Sequence, residues 1–154
     1  MKLSLSPIML AISVALAAPA NFKRANTLEI TNLYANTASV GDSAYIDFFL
    51  KDAQYPRDTP TECNVIWQYG EQPPLNARCQ NGAYYIKFPE GPVNFDHFTL
   101  ALQRVNGTIP EKGQAVLDSN ANGNAPASKW SCRKNAREGV NLACSYDGTL
   151  RINV

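Results

Sequence analysis

Ala44-Tyr45-Ile46-Asp47-Phe48-Phe49-Leu50-Lys51 is the stretch that decides the fold. Ala44, Ile46, Phe48 and Leu50 alternate with Tyr45, Asp47, Phe49 and Lys51. In an extended strand successive side chains point to opposite faces, so this order lays one apolar row along one side. A helix would scatter the same four residues around its circumference, because a helical face is built at spacings of three and four. The stretch predicts a half-buried β-strand.

The same period recurs on either side of it. Leu28 and Ile30 alternate with Glu29 and Thr31, and Cys63, Val65, Trp67 and Tyr69 form a row opposed by Asn64 and Gln68. Tyr84, Ile86 and Phe88 form another, with Tyr85 and Lys87 opposite, and Phe98, Leu100 and Leu102 alternate with Thr99, Ala101 and Gln103. Near the end, Val140, Leu142, Cys144 and Tyr146 make a row, and then Leu150, Ile152 and Val154. Turn signals separate the rows: Gly41-Asp42, Pro73-Pro74, Asn81-Gly82, Gly91-Pro92 and Asp147-Gly148. Asn81-Gly82 and Asp147-Gly148 fit two-residue hairpin turns. Only Gly113 to Leu117 and Ala136 to Gly139 are read as hosts for a helical turn or two, so the expected helix content is under about 10%, well below the usual share. The fold class is all-β, a compact antiparallel β-barrel or sandwich.

The 154 residues suit one domain. Apolar residues make up 45%, enough for a core, and charged residues only 18%. The N-terminus reads differently from the rest. Met1-Lys2 precedes an apolar run from Leu3 to Ala18, and Ala15-Leu16-Ala17 is an A-x-A cleavage signal. This is the pattern of a secretory signal peptide over residues 1–17, too short for a membrane anchor. No later stretch is long or apolar enough to span a bilayer. Lys23-Arg24 is a dibasic pair of the kind cut by kexin-type proteases, so residues 18–24 read as a short propeptide and residues 25–154 as the β domain. This places the chain in a eukaryotic, fungal secretory pathway and its mature form outside the cell. Loss of Lys2, Lys23 and Arg24 reduces 14 basic residues to 11 against 13 acidic ones, a net charge of −2. A dedicated nucleic-acid binder, with its strong basic excess, is excluded.

Four cysteines, Cys63, Cys79, Cys132 and Cys144, all lie in the mature part. In a secreted chain an even count reads as two disulfides, with three possible connectivities. Local pairing, Cys63 with Cys79 and Cys132 with Cys144, ties adjacent antiparallel strands and is favoured over long crossing bridges; each bond contributes about 3 kcal/mol in the chain-entropy model. The CxxC spacing of a zinc site is absent. Asn106-Gly107-Thr108 is the one glycosylation sequon, with Asn106 in an expected loop.

Few constellations carry chemistry. Asp118-Ser119-Asn120-Ala121-Asn122-Gly123 matches the first half of a calcium loop, but Lys129 stands where the acidic bidentate ligand belongs, so no metal is expected. His97 is the only histidine; beside Asp96 on a strand it points to the opposite face, and no G-x-S-x-G elbow is present. No pair of carboxylates is singled out, and no cofactor motif occurs. Lys129, Arg133, Lys134 and Arg137 surround Trp130. Aromatic and arginine anchors dominate many protein interfaces, so Trp130, Arg133 and Arg137 are the candidate partner-binding residues, against a plainer arrangement with Trp130 packed beneath the Cys132 bridge and solvated arginines. Phe49 and Tyr85, on the rows opposite the apolar ones, are the better surface aromatics.

Together, the leader, the strands Leu28 to Ala35 and Ala44 to Leu50, and the two local cysteine spacings resemble the fungal major-allergen family typified by the Alternaria major allergen, over about residues 26–154. The resemblance implies a β-barrel-like fold with both local disulfides, secretion, no enzymatic activity, and roles as an allergen, effector or elicitor that binds host-plant defence proteins. The dimeric allergen uses a further cysteine near its mature N-terminus; this chain has none, which leaves a monomer or a non-covalent dimer. No binding residue carries over, since the cysteines alone match. The chain is expected to be a secreted non-catalytic protein that binds a host or cell-wall protein; the alternatives are a secreted hydrolase, which needs clustered carboxylates or an oriented His97, and a carrier of a small apolar ligand, which needs an open apolar cavity.

Overall fold

The computed structural model describes residues 26–107, 111–119 and 128–154. The leader, its cleavage site at Ala17 and the dibasic pair Lys23-Arg24 lie outside the described residues. Nine strands run in chain order: β1 (Thr27–Ala38), β2 (Ser43–Asp52), β3 (Thr61–Gln68), β4 (Tyr84–Lys87), β5 (His97–Arg104), β6 (Lys112–Asp118), β7 (Trp130–Arg137), β8 (Val140–Tyr146) and β9 (Leu150–Asn153). No helix occurs among the described residues. All ladders are antiparallel. The larger sheet has the order β3-β2-β1-β8-β7, with β9 also on β1, and the smaller has the order β4-β5-β6. The ladders do not close into a barrel; the two sheets enclose one core, as in a sandwich.

The apolar rows are that core. Ala44, Ile46, Phe48 and Leu50 are fully buried, and Tyr84, Ile86, Leu100 and Leu102 face them from the smaller sheet. An aromatic chain runs between the sheets, from Trp67 on β3 through Phe88, Phe95 and Phe98 to Trp130 on β7, with ring centroids 5.7–6.3 Å apart.

β1 shows how a simple alternation is repaired. Leu28 and Ile30 face inward, but so do Leu33 and Ala35, which fall on the opposite parity. Asn32 and Leu33 together stand opposite Phe48 of β2, between the pairs Thr31–Phe49 and Tyr34–Asp47. This one-residue bulge, with Asn32 at φ 54°, shifts the phase so that both halves of β1 bury their apolar row.

Both disulfides have the expected local pairing, Cys63–Cys79 and Cys132–Cys144. They differ in what they join. Cys132 and Cys144 are direct cross-strand partners on β7 and β8. Cys79 lies in a segment, 77–81, that is hydrogen-bonded to β4 on one side (Cys79 N to Tyr84 O, Ile86 N to Ala77 O) and to Glu62 of β3 on the other. The Cys63–Cys79 bond therefore staples the edge of the larger sheet to the edge of the smaller one. At the opposite seam β6 lies against β9, and Gly113 is the contact: a Cβ there would stand 2.5 Å from the Asn153 carbonyl oxygen.

Four local expectations are corrected. Gly113 to Leu117 is part of β6, whose inward positions Gly113, Ala115 and Leu117 are mostly too small to give an apolar signal. Ala136 and Arg137 end β7, and Glu138-Gly139, with Gly139 at φ 79°, turns the chain into β8. Asp147-Gly148 makes no hairpin: β8 and β9 both pair with β1, one beyond the other, and the turn only carries the chain past the bulge. Tyr69 lies beyond the end of β3 and is 44% exposed.

Candidate functional site

The outward face of the larger sheet is assembled by register. One row crosses all five strands as Arg133, Ala143, Asn36, Tyr45 and Ile66. The next reads Ser131, Ser145, Tyr34, Asp47 and Asn64, and a shorter third reads Thr31, Phe49 and Glu62. Each member alternates with a core residue on its strand, so all point to the same side. The face thus carries four large apolar or aromatic side chains at its centre, of which Ile66 is 61% and Phe49 41% exposed, while Tyr34 and Tyr45 are half-buried. Tyr45 donates a short hydrogen bond to Asp47, and Asn36 donates to the Tyr34 hydroxyl at 3.3 Å. Burial, together with the bond to Asp47, pushes the Tyr45 phenol up to about 12, so it stays a neutral donor at any physiological pH. The charges at this face are balanced. Glu29 pairs with Lys51 and Arg151, whereas Arg133, beside a shallow depression lined by Tyr34, Ser131 and Ser145, has no carboxylate within ion-pair distance among the described residues.

The three candidate partner-binding residues are not brought together. Trp130 is fully buried: its indole N–H donates to the Phe95 carbonyl at 2.7 Å and its ring meets Phe98 edge-on. It cannot anchor a partner, and this corrects its assignment. Of the flanking cations only Arg133 is on the opposite face; Lys134 shares the parity of Trp130 but is exposed, because that face of β7 leaves the core beyond Cys132. Arg133 is exposed on the outward face. Arg137 is exposed at the hairpin end, beyond a bulge, and is paired opposite Val140, on the register that elsewhere faces the core. Asn106 is exposed on the loop after β5; Thr108 of its sequon lies outside the described residues, as does most of the calcium-like loop.

The histidine corner is cross-paired. His97 lies 3.6 Å from Asp118, its partner across the β5–β6 ladder, and Ser119 donates to Asp96 at 3.1 Å. Ser119 is 4% exposed, which denies a serine nucleophile its access to substrate.

A carboxylate pair does exist, and sequence reasoning missed it. Asp52, at the end of β2, and Glu111, just before β6, are each 2% exposed. Asp52 accepts hydrogen bonds from the Tyr84 hydroxyl at 2.6 Å and the Gln54 amide at 2.8 Å. Arg104 donates to Tyr84 at 2.7 Å, pairs with Asp58 and lies 3.3 Å over the Tyr55 ring. Among the described residues neither Glu111 oxygen meets a donor. Burial, and then the neighbouring Asp52, push Glu111 up to about 8. Burial would also raise Asp52, but hydrogen bonds from Glu111, Tyr84 and the Gln54 and Tyr55 amides outweigh it and hold the carboxyl below its ordinary range. The opposite shifts favour a single proton on the pair, held by Glu111 beside an ionised Asp52. Sealed beneath the seam, the pair meets no substrate. Its residues are 59 positions apart, so no motif spacing could have found them.

No protein-family model matches the chain, and no curated protein matches it in sequence. The crystal structure of the Alternaria alternata allergen Alt a 1 matches it in three dimensions, with a TM-score of 0.50 and 14% sequence identity, over 89% of this chain and 93% of that one. At that identity the likeness speaks for architecture, and the shared architecture is the one derived above: this chain has the fold of an Alternaria allergen.

Proposed function

We propose that the chain is a secreted, non-catalytic binding protein, an allergen-like effector or elicitor of a fungus, whose partner is a host-plant or cell-wall protein met through the outward face of the larger sheet. The observation that carries this reading is the patch of Tyr34, Tyr45, Phe49 and Ile66 on three neighbouring rows of one face, with Arg133 at its margin. Exposed apolar patches rimmed by polar groups mark interaction sites, and aromatic and arginine side chains supply most of the energy at protein interfaces. The leader pattern, two disulfides and the allergen fold support an extracellular setting. The sealed Asp52–Glu111 pair and the buried Ser119 supply no accessible carboxylate pair or serine nucleophile, which speaks against the hydrolase alternative; His97, exposed beside Asp118, is the one accessible imidazole.

The test is a comparison of variants. Mature protein immobilised and exposed to plant extracellular fluid is expected to retain a defined protein. Phe49→Ser with Ile66→Ser, and separately Arg133→Ala, should release it without altering the far-ultraviolet circular dichroism. Retention by both variants would exclude this face. Hydrolysis of a protein or glycan substrate that disappears with His97→Ala would overturn the non-catalytic reading.

A further inference from the structure

The outward face of the smaller sheet is shaped differently. Its central row reads Lys87, Ala101, Gln114, and the next reads Tyr85, Gln103, Lys112. Ala101 is the small residue between long neighbours, so the face is hollowed along β5. The loop through Pro73, Pro74 and Leu75 walls one side, and Phe88 and Pro89 close an end, giving a groove of about 490 Å³. That volume lies within the range of small-molecule sites, about 300–1,000 Å³. Leu75 is 75% exposed, an apolar side chain held on the rim with nothing packed over it.

The charges around this groove are one-sided. Lys87 and Lys112 line it. The Lys87 ammonium donates to Gln103 at 2.7 Å and stands 5.2 Å from the centre of the Tyr85 ring, whose other close cation is Arg78, 4.3 Å away. Among the described residues no carboxylate lies within ion-pair distance of Lys87, Lys112 or Arg78. Glu90, which follows the lining residue Pro89, accepts a hydrogen bond from Thr99 at 2.6 Å, and Glu71, which precedes the lining residue Gln72, makes no ion pair with these cations. An apolar floor with uncompensated ammonium groups on two walls is complementary to a molecule with an apolar body and one anionic end.

We propose that this groove binds a small amphipathic carboxylate, its apolar body against Ala101, Leu75 and Pro89 and its carboxylate between Lys87 and Lys112. The site is on the opposite sheet from Arg133 and does not depend on the protein-binding reading. A volume of about 490 Å³ matches a small molecule better than the extended acidic peptide that the same charges would also attract, which is why a small molecule is favoured.

Calorimetric titration of the mature chain with sodium octanoate and with octan-1-ol tests it, since the two share a chain and differ in charge. Saturable one-to-one binding of octanoate is expected, with octanol weaker by about 10-fold, the worth of roughly one charged hydrogen bond. Lys87→Gln with Lys112→Gln should lower octanoate affinity by about 10-fold, to the octanol level, and Arg133→Ala should leave it unchanged. No octanoate binding, equal affinity for octanol, or an unaltered affinity in the folded double variant would overturn the proposal. So would capture of a glutamate-rich peptide at Lys87 and Lys112 that octanoate fails to displace. If the double variant does not fold, the octanoate and octanol comparison on the unaltered chain still decides.

Discussion

The two disulfides have nearly the same loop length and opposite structural situations. Cys132–Cys144 lies across a ladder that β7 and β8 already hold, toward the end away from the turn at Glu138-Gly139. Cys63–Cys79 joins two sheets that share no ladder at that seam, through a segment with no strand of its own. Chain entropy gives both about the same worth, near 3 kcal/mol, because loops of 16 and 12 residues differ little on a logarithmic scale. Any difference must come from the folded state. There the inter-sheet bond is sealed, with Cys63 at 0% and Cys79 at 2% exposure, while Cys132 is half-buried. A bond across a full ladder is insurance; a bond beside the few hydrogen bonds of the 77–81 segment does more to set how the layers meet.

The largest effect should therefore follow Cys63→Ala with Cys79→Ala. A loss of about 4–5 kcal/mol is expected in urea unfolding, against about 2–3 kcal/mol for Cys132→Ala with Cys144→Ala. Equal losses would mean that the entropic account suffices and the seam contributes nothing. The seams also differ in pH response, because the Asp52–Glu111 pair lies at one end of the sandwich. Glu111 holds its proton up to about pH 8 in the folded chain but only to about 4.5 unfolded. The folded chain then binds the extra proton between these values, so stability falls as pH rises from about 4.5 to 8, by an amount on the order of a few kcal/mol. Asp52 acts in the opposite sense: held below its ordinary 3.8, it contributes stability that is lost as acid protonates it. Unfolding midpoints should peak in mildly acidic buffer, and Glu111→Gln should flatten the alkaline side. A midpoint that rises steadily from pH 5 to 8 would contradict the shared proton.

At the other seam, Gly113→Ala should cost about 1–3 kcal/mol, since its Cβ meets the Asn153 backbone and cannot be accommodated by a side-chain turn. Gly139→Ala, with open space around it, should cost about 1 kcal/mol from its positive φ alone. The smallest change is expected on the outward face: Ile66→Ser should shift stability by no more than about 0.5 kcal/mol while weakening partner retention.

The sequence shows much of this architecture where the chemistry is local. The rows on β2, β3, β4, β5 and β8 are legible because one face is apolar and the other polar, and local cysteine pairing follows from short spacing. Legibility fails where a neighbour substitutes for a side chain. β6 hides its inward row because Gly113 must yield room to β9. Trp130 reads as a surface anchor because its basic neighbours are close in sequence, yet only the start of β7 is covered by the core and the cations lie on its other face or beyond it. The acid pair leaves no trace at all, since Asp52 and Glu111 meet only after the two sheets have closed. On the outward face, Phe49 is foreseen by parity alone, whereas its company of Tyr34, Tyr45 and Ile66 depends on register between strands.

β1, the first strand of the described chain, has a further consequence for biogenesis. Its bulge divides one edge between two partners: Tyr34 to Ala38 pair with β8, and Thr27 to Ile30 pair with β9, with Thr27 opposite Asn153. The first residues of the domain thus wait for nearly the last before their backbone groups are satisfied. Such long-range pairing raises contact order and slows folding. A chain emerging into an oxidising compartment would form the Cys63–Cys79 link long before β1 has its full set of partners. A chain stopped short of Leu150 would carry an open edge along Thr27 to Ile30, an invitation to pair with another copy.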